Sequence, residues 1–252
     1  MADVVDRLET VTREFPLSLF YGSGPLTSLL TSACGVGTIV GGDLAAERLS
    51  DVPGSQARKI VLDEDCSPLA SEQFDLIVSL LTLHAVNDPV GALAQMRRAL
   101  KPDGLLIAVT FGEETLRTLR SALYAAETAA SGAVSLRTAP MASVRDWGAA
   151  LQRAGFALPV VDLDRVRVRY TAPQRLFEDL RGMGETAALA RRPRALKKAT
   201  AGGLLAKLQE TPMMEFDLVT LTGWAPHESQ QKPLIPGSAA QSLAAAVNRL
   251  TD

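Results

Sequence analysis

Gly22 and Gly24 stand at the end of a compact apolar run, Leu17 to Tyr21, and Asp43 follows about 20 residues later. At the end of a strand a glycine pair lets bare backbone approach a nucleotide, and a carboxylate at that distance accepts both ribose hydroxyls. The spacing alone says little in a chain with 19 glycines, since Gly35-Val36-Gly37 and Gly182-Met183-Gly184 repeat it. The weight lies in the position of the two features at the ends of successive strands. In a plainer reading Asp43 caps a helix starting at Leu44, and Gly22 only turns the chain.

Asp63-Glu64-Asp65 closes a third strand, where a carboxylate can accept from the exocyclic amine of adenine. A solvated acidic loop fits the same residues. His84, in LLTLHAVNDP, follows a fourth strand and would face the reactive end of a cofactor as base or positioner, although a lone histidine is as readily structural. Cys34 and Cys66 are the only cysteines, and no Cys/His spacing points to a metal site. Ser79 and both cysteines lack a His/acid partner and no G-x-S-x-G elbow occurs, which argues against covalent hydrolase chemistry. A dinucleotide fingerprint would need glycine where Thr27 stands. Glu113-Glu114 read as the first turn of a helix. Arg191-Arg192-Pro193-Arg194 with Lys197-Lys198 reads as a solvated helical face or, more sharply, a docking patch for an acidic protein.

The elements that must position these residues alternate. A helix is expected over 3–14, where Val4, Val5, Leu8 and Val11 share a face, then a strand over Leu17–Tyr21 and a helix over Leu26–Ala33 closed by Gly35. Strands follow at Thr38–Asp43, Arg58–Asp63, Phe74–Leu80 and Leu105–Phe111; a helix at Val90–Leu100, capped by Asp88, and a Lys101-Pro102-Asp103-Gly104 turn precede the last of them. These short strands, apolar on both faces, suit a parallel sheet covered by helices. The second half predicts helices at Glu113–Ala130, Arg145–Ala154, Pro173–Met183 and Arg194–Leu208, with strands at Val160–Tyr170 and Phe216–Trp224. Gln230 to Ser238 reads as a loop before a short Ala/Leu helix.

We expect one domain over 1–252: a cofactor-binding half over 1–131, a substrate-side half over 132–229 with a helical insert at 173–210, and a tail over 230–252. The 252 residues, 47% hydrophobic, suffice for one sizeable core, and a net charge of -2 excludes the broad basic footprint of a general nucleic-acid binder. MADVVDRLETVTREF has neither the apolar centre of a signal peptide nor the acid-poor texture of a transit peptide. No apolar run reaches the roughly 20 residues of a membrane span. A soluble, cytoplasmic protein in a reducing compartment is expected.

The stretch FDLIVSLLTLHAVNDPVGALAQMRRALKPDGLLIAVTFGEETL resembles class I S-adenosylmethionine (SAM)-dependent methyltransferases of the malonyl-acyl-carrier-protein O-methyltransferase type. LRSAL, PMASVRDWGAALQRAGFALPVVDLDRVRVRY, EDLRGMGE and GWAPHESQQKPLIPGSA are similar to the narrower family of mitochondrial complex I assembly factor 5 and its bacterial relatives. The resemblance implies an α/β fold with a doubly wound, mostly parallel seven-stranded sheet, a small helical insert before the last strand, and SAM as cofactor. It puts Gly22 and Gly24 on the SAM loop, Asp43 with Leu44 at the ribose, Asp63 and Glu64 at the adenine edge, and Leu80 and His84 on the wall beyond the fourth strand. The family's loop reads much like L-D-L-G-C-G-x-G, whereas here Phe20 replaces the acid and Leu26 the last glycine. The implied acceptor is a protein side chain or a small or carrier-bound acid. The alternative is a degenerate assembly factor or scaffold, with a respiratory-complex subunit as partner and arginine hydroxylation as a variant chemistry.

Overall fold

The computed structural model describes residues 1–22, 24–30, 34–51, 58–186, 189 and 193–231. Its strands are β1 (Phe15–Tyr21), β2 (Val36–Asp43), β3 (Arg58–Val61), β4 (Phe74–Leu80), β5 (Leu100–Phe111), β6 (Ala157–Arg169) and β7 (Met213–Trp224). They form one seven-stranded sheet in the order β3-β2-β1-β4-β5-β7-β6. Neighbours among β1 to β5 pair in parallel, and β7 runs antiparallel to both β5 and β6. The chain builds outward from β1 through β2 and β3, then crosses to β4 on the other side. A doubly wound sheet opens a crevice at such a reversal, beyond the carboxyl ends of the strands.

Among the described residues six α-helices accompany the sheet: α1 (Ala2–Thr10), α2 (Pro89–Ala99), α3 (Arg117–Ser131), α4 (Val144–Arg153), α5 (Pro173–Met183) and α6 (Lys198–Glu210). The strand residues alternate between two cores, as a period of two requires. Leu19, Tyr21, Ile77 and Leu106 pack on Leu93 and Met96 of α2 and on Trp147 and Leu151 of α4. Phe15, Phe20, Leu76, Val78 and Ile107 face the other way, onto Val4 and Leu8 of α1. A third cluster joins Phe111 and Phe216 to α3, α5 and α6 through Leu119, Leu176 and Leu204. Asp88 caps α2 as expected, accepting from Gly91 N at 2.9 Å, and Ser143 and Asp146 form a reciprocal capping box on α4.

The α-helix expected over Leu26–Ala33 does not form over its described part, residues 26–30. Gly24–Leu29 is a six-residue 3-10 turn instead, and residues 31–33 lie outside the described set. The register gives a reason. Phe15 pairs with Val36, so the chain must return the whole length of β1, about 20 Å at roughly 3.3 Å per residue. At about 2.0 Å per residue, six 3-10 residues advance as far as eight α-helical ones, leaving more chain for the turns.

The helix expected from Glu113 starts only at Arg117, because Gly112–Leu116 is stitched to β7: Gly112 N bonds Asp217 O at 2.9 Å and Leu116 N bonds Glu215 O at 2.7 Å. Glu113 and Glu114 therefore precede the helix rather than charge its first turn. The Lys101–Gly104 turn lies inside β5 as an irregularity, with Phe74 opposite Leu100 but Leu76 opposite Leu105. The helix expected over Arg194–Leu208 begins at Lys198, and α1 stops at Thr10.

Gly22 is where backbone geometry is most demanding. It holds φ +66°, and a Cβ there would come within 2.6 Å of Leu80 O and 2.9 Å of Thr82 Cγ2. At Gly24, φ +46°, a Cβ would meet nothing within 4 Å. We expect Gly24→Ala to cost about 1 kcal/mol, the strain of the left-handed backbone, and Gly22→Ala to cost about 3 kcal/mol because β4 must also move. Urea unfolding midpoints of the two variants compare them, and equal losses would contradict the close approach of β1 to β4.

Candidate functional site

The crevice at the carboxyl ends of β1 to β4 is a cleft of about 810 Å³. Gly22, Gly24, Asp43, Leu44, Asp63, Glu64, Leu80 and His84 all line it. Eight residues picked from four separate strand ends thus share one wall system. The cleft falls within the usual size of small-molecule sites, about 300–1,000 Å³.

The loop after β1 divides its labour. Gly22 serves the close approach to β4, and Gly24 presents open backbone to the cleft; Ser23 between them is outside the described residues. Thr27 Oγ1 closes the 3-10 turn onto Gly24 O. Phe20 is 1% exposed and packs into the core beneath α1, so it neither supplies charge to the cleft nor fills it. Leu26, 45% exposed, is the substituted loop residue that enters the wall. Tyr21 points to the opposite core, its hydroxyl 3.1 Å from Ser67 Oγ, and burial pushes the phenol up to about 12. It stays neutral.

The acids have distinct tasks. Asp43 Oδ1 accepts from Ala45 N at 2.9 Å, a local turn after β2 rather than a cap on an α-helix, since Ala46–Asp51 is 3-10. Asp63 makes the same kind of turn with Asp65 N at 2.9 Å. Asp65 binds Asn87 N, Asn87 Nδ2 and Asp88 N at 2.7 to 3.1 Å, and these bonds hold its carboxyl below the ordinary carboxylate range. It ties the loop after β3 to the start of α2, which is not the work of a solvated loop. Glu64 is buried, and desolvation raises its carboxyl above the ordinary range; its own backbone and Thr82 donate to it and oppose the rise, while Asp63 and Asp43 add to it.

His84 sits in a short 3-10 turn, Leu83–Ala85, its ring centroid 4.9 Å from that of Phe111. Its Nε2 lies 3.0 Å from Glu185 Oε1 and 3.1 Å from Oε2. Met183 to Thr186, at the end of α5, line the cleft, and an added Cβ on Gly184 would come 3.3 Å from Arg48 on the opposite wall. The sequence pattern offered no chemistry for Glu185, Arg48 or Thr82. The signals there were Gly184 directly after a helical stretch, which marks a helix end, and the family-like block EDLRGMGE, which ends on Glu185 without giving it a role.

Among the described lining residues, Asp43, Asp63, Glu64, Asp65 and Glu185 stand against a single guanidinium, that of Arg48. Such walls favour a cationic ligand. Among the described residues no α-helix starts after β1; Gly24–Leu29 is a short 3-10 turn instead of the α-helix N-terminus that usually seats a dinucleotide pyrophosphate. A smaller hollow of about 320 Å³ surrounds Asp217, whose carboxylate is held by Arg165 at 2.6 and 3.1 Å. It includes Glu113 and Glu114 but none of the expected cofactor residues. Among the described residues no group of three or more His, Cys, Asp or Glu is placed to hold a metal, and no helix is long and apolar enough to cross a membrane. Arg194, Lys197 and Lys198 are exposed; Arg191, Arg192 and the tail from 232 onward lie outside the described residues.

Residues 17–108 match the family model described as a methyltransferase domain. The zebrafish (Danio rerio) protein named arginine-hydroxylase NDUFAF5, mitochondrial, is 35% identical over 96% of this chain and 78% of its own length. The malonyl-[acyl-carrier protein] O-methyltransferase of Laribacter hongkongensis is 34% identical over 61% of this chain and 52% of its own. The structure of Haemonchus contortus phosphoethanolamine N-methyltransferase 2 in complex with S-adenosyl-L-methionine shares the fold, with a TM-score of 0.55 and 16% identity over 89% of this chain and 52% of that one. With the strand order, the crevice and a relative matching nearly end to end, the chain belongs to the class I SAM-dependent methyltransferase-like family, alongside the NDUFAF5 proteins.

Proposed function

We propose that the cleft binds SAM and that the protein is a methyltransferase-type enzyme acting on a protein side chain or a small or carrier-bound acid. The observation that carries this reading is the acid-walled crevice in which Gly24, Asp43, Glu64 and Leu80 converge from four strand ends. SAM carries a sulfonium that, when bound, supplies an activated methyl group. This chain's residues would hold the molecule: Gly24 offers backbone without a side chain, and Asp43 offers a second carboxylate oxygen to a ribose. Glu64 and Asp63 stand where an adenine edge would sit, and Leu80 gives an apolar wall. Transfer to an acceptor needs alignment more than a proton relay, so orientation by this framework is the main contribution expected.

The family resemblance and the name arginine-hydroxylase borne by the zebrafish relative make a protein arginine, in a respiratory-complex subunit or another protein, the first side chain to test, for hydroxylation as a variant chemistry as well as for methyl transfer. A guanidinium is also the kind of cation that these walls attract. The second reading, a scaffold that no longer uses SAM, is favoured by one observation: the loop acid is replaced by Phe20, which is committed to the core. Both cysteines are free thiols, which suits a reducing setting such as the cytoplasm, while the zebrafish relative's name places that protein in mitochondria.

Calorimetry with SAM separates the two. Heat is expected from the purified chain, with Asp43→Ala weakening binding roughly tenfold or more through loss of a charged hydrogen bond. No heat at high SAM concentration would favour the scaffold, and an unchanged affinity in the variant would remove Asp43 from the ribose.

The raised Glu64 carboxyl gives a pH signature. Its ordinary value is 4.5, and the folded form keeps its proton to higher pH. Between those values the native state binds more protons than the unfolded chain, so stability falls as pH rises through the window and stays lower above it. Glu64→Gln escapes that loss. Its thermal midpoint should exceed that of the parent at neutral pH and match it below about pH 4; equal midpoints at neutral pH would mean that Glu64 is not desolvated.

A further inference from the structure

Glu185 reaches His84 from an element that owes nothing to the strand ends. Gly184 ends α5 with φ +84°, its N–H bonds Arg181 O at 3.1 Å, and the N–H of Glu185 bonds Leu180 O at 2.8 Å. That pair of bonds is a Schellman closure, so the helix end sets the backbone carrying the acid. Both carboxylate oxygens then fall 3.0 and 3.1 Å from one ring nitrogen, Nε2. The imidazole is 6% exposed, and its other nitrogen, Nδ1, is buried without a hydrogen-bond partner among the described residues.

An ionised carboxylate can only accept, so Nε2 must carry a proton. Two forms of the ring satisfy that requirement. The imidazolium would bury an unpaired N–H of a charged group, which is more costly to leave unmet than a neutral acceptor. The neutral Nε2–H tautomer leaves Nδ1 as a bare acceptor beside a cleft. A buried acceptor left open is expensive unless something arrives to donate to it. His84 lines the cleft with its ring held between Glu185 and Phe111, so a rotation of the ring is the step that would bring Nδ1 to a donor there.

We propose that Glu185 is a positioning residue: it fixes His84 in the Nε2–H tautomer and keeps Nδ1 as the acceptor for an N–H or O–H of the molecule bound in the cleft. The inference rests on the cleft being the ligand site. It does not depend on SAM being the cofactor. The ligand it calls for is a hydrogen-bond donor such as an amine, guanidinium or hydroxyl.

The chain has two histidines, so the imidazoles of a uniformly ¹⁵N-labelled full-length sample can be read individually. His227, whose Nδ1 lies 2.7 Å from Ser229 Oγ and 3.3 Å from its N, is the internal reference. At neutral pH His84 should show a protonated Nε2 and an unprotonated Nδ1. Glu185→Gln, whose amide oxygen still accepts, should keep that pattern. Glu185→Ala should collapse it towards a tautomer average, with the backbone spectrum otherwise preserved and His227 unmoved. Adding N-acetyl-arginine methylamide as a guanidinium probe should shift Nδ1 in the parent and not in Glu185→Ala. A protonated Nδ1 in the parent, or a pattern indifferent to Glu185→Ala, would overturn the proposal, and a spectrum unmoved by high probe concentration would remove the acceptor role. If SAM calorimetry is silent while the tautomer behaves as described, the cofactor reading fails and the positioning role stands; heat with a protonated Nδ1 reverses that result.

Discussion

The end of β1 passes the end of β4 with no room for a side chain between them, and the cleft depends on that contact. Gly22 lies against the carbonyl of Leu80, and the next described residue, Gly24, already faces the opening. The parallel pairing of β1 with β4, Tyr21 opposite Ser79, brings the two strand ends level. Because the chain reverses its direction of growth here, no crossover covers the gap. Asp43 and Glu64 then arrive from β2 and from beyond β3 at positions set by the same sheet. A parallel sheet thus converts strand register into site geometry: a one-residue slip in any pairing would turn the lining side chains to another face.

The same register constrains the segment between β1 and β2. The chain must return from Tyr21 to Val36 along β1, and over Gly24–Leu29 it does so in the longer-stepped 3-10 form. No α-helix N-terminus stands at that point among the described residues, and carboxylates outnumber the cations lining the cleft. Burial of Glu64 beside Asp43 and Asp63 completes the effect, since like charges in a desolvated wall are relieved by a cation.

The alternating elements and the sheet could be read from the chain because each rests on local signals: apolar runs of strand length, an acid or glycine at a strand end, a capping Asp88. The eight candidate residues line one cleft, but Leu44 and Leu80 carry no local signal and came with the family resemblance. What could not be read depends on distance between elements. Nothing near Leu26 reports that β2 starts opposite Phe15, so a helical run of apolar residues became 3-10. Glu113 and Glu114 have good first-turn chemistry, but backbone bonds from Gly112 and Leu116 to β7 delay the helix to Arg117. Glu185 is 101 residues from His84, and only the folded packing of α5 makes them neighbours.

Phe20 shows how the core can absorb a substitution at the end of β1. In a β-strand alternate side chains point to opposite cores, and Phe20 belongs to the α1 side together with Leu76 and Val78. An aromatic ring there adds apolar burial beneath α1 without entering the cleft, so the departure strengthens packing at the position where the family's loop carries an acid. The charge lost at that point is not replaced by Tyr21, whose hydroxyl serves Ser67 on the other face. What remains to attract a cation is distributed around the rim, from Asp43 through Glu64 to Glu185. A ligand bound there would draw its affinity from several walls rather than from one residue, and Glu185 makes the helical insert one of those walls.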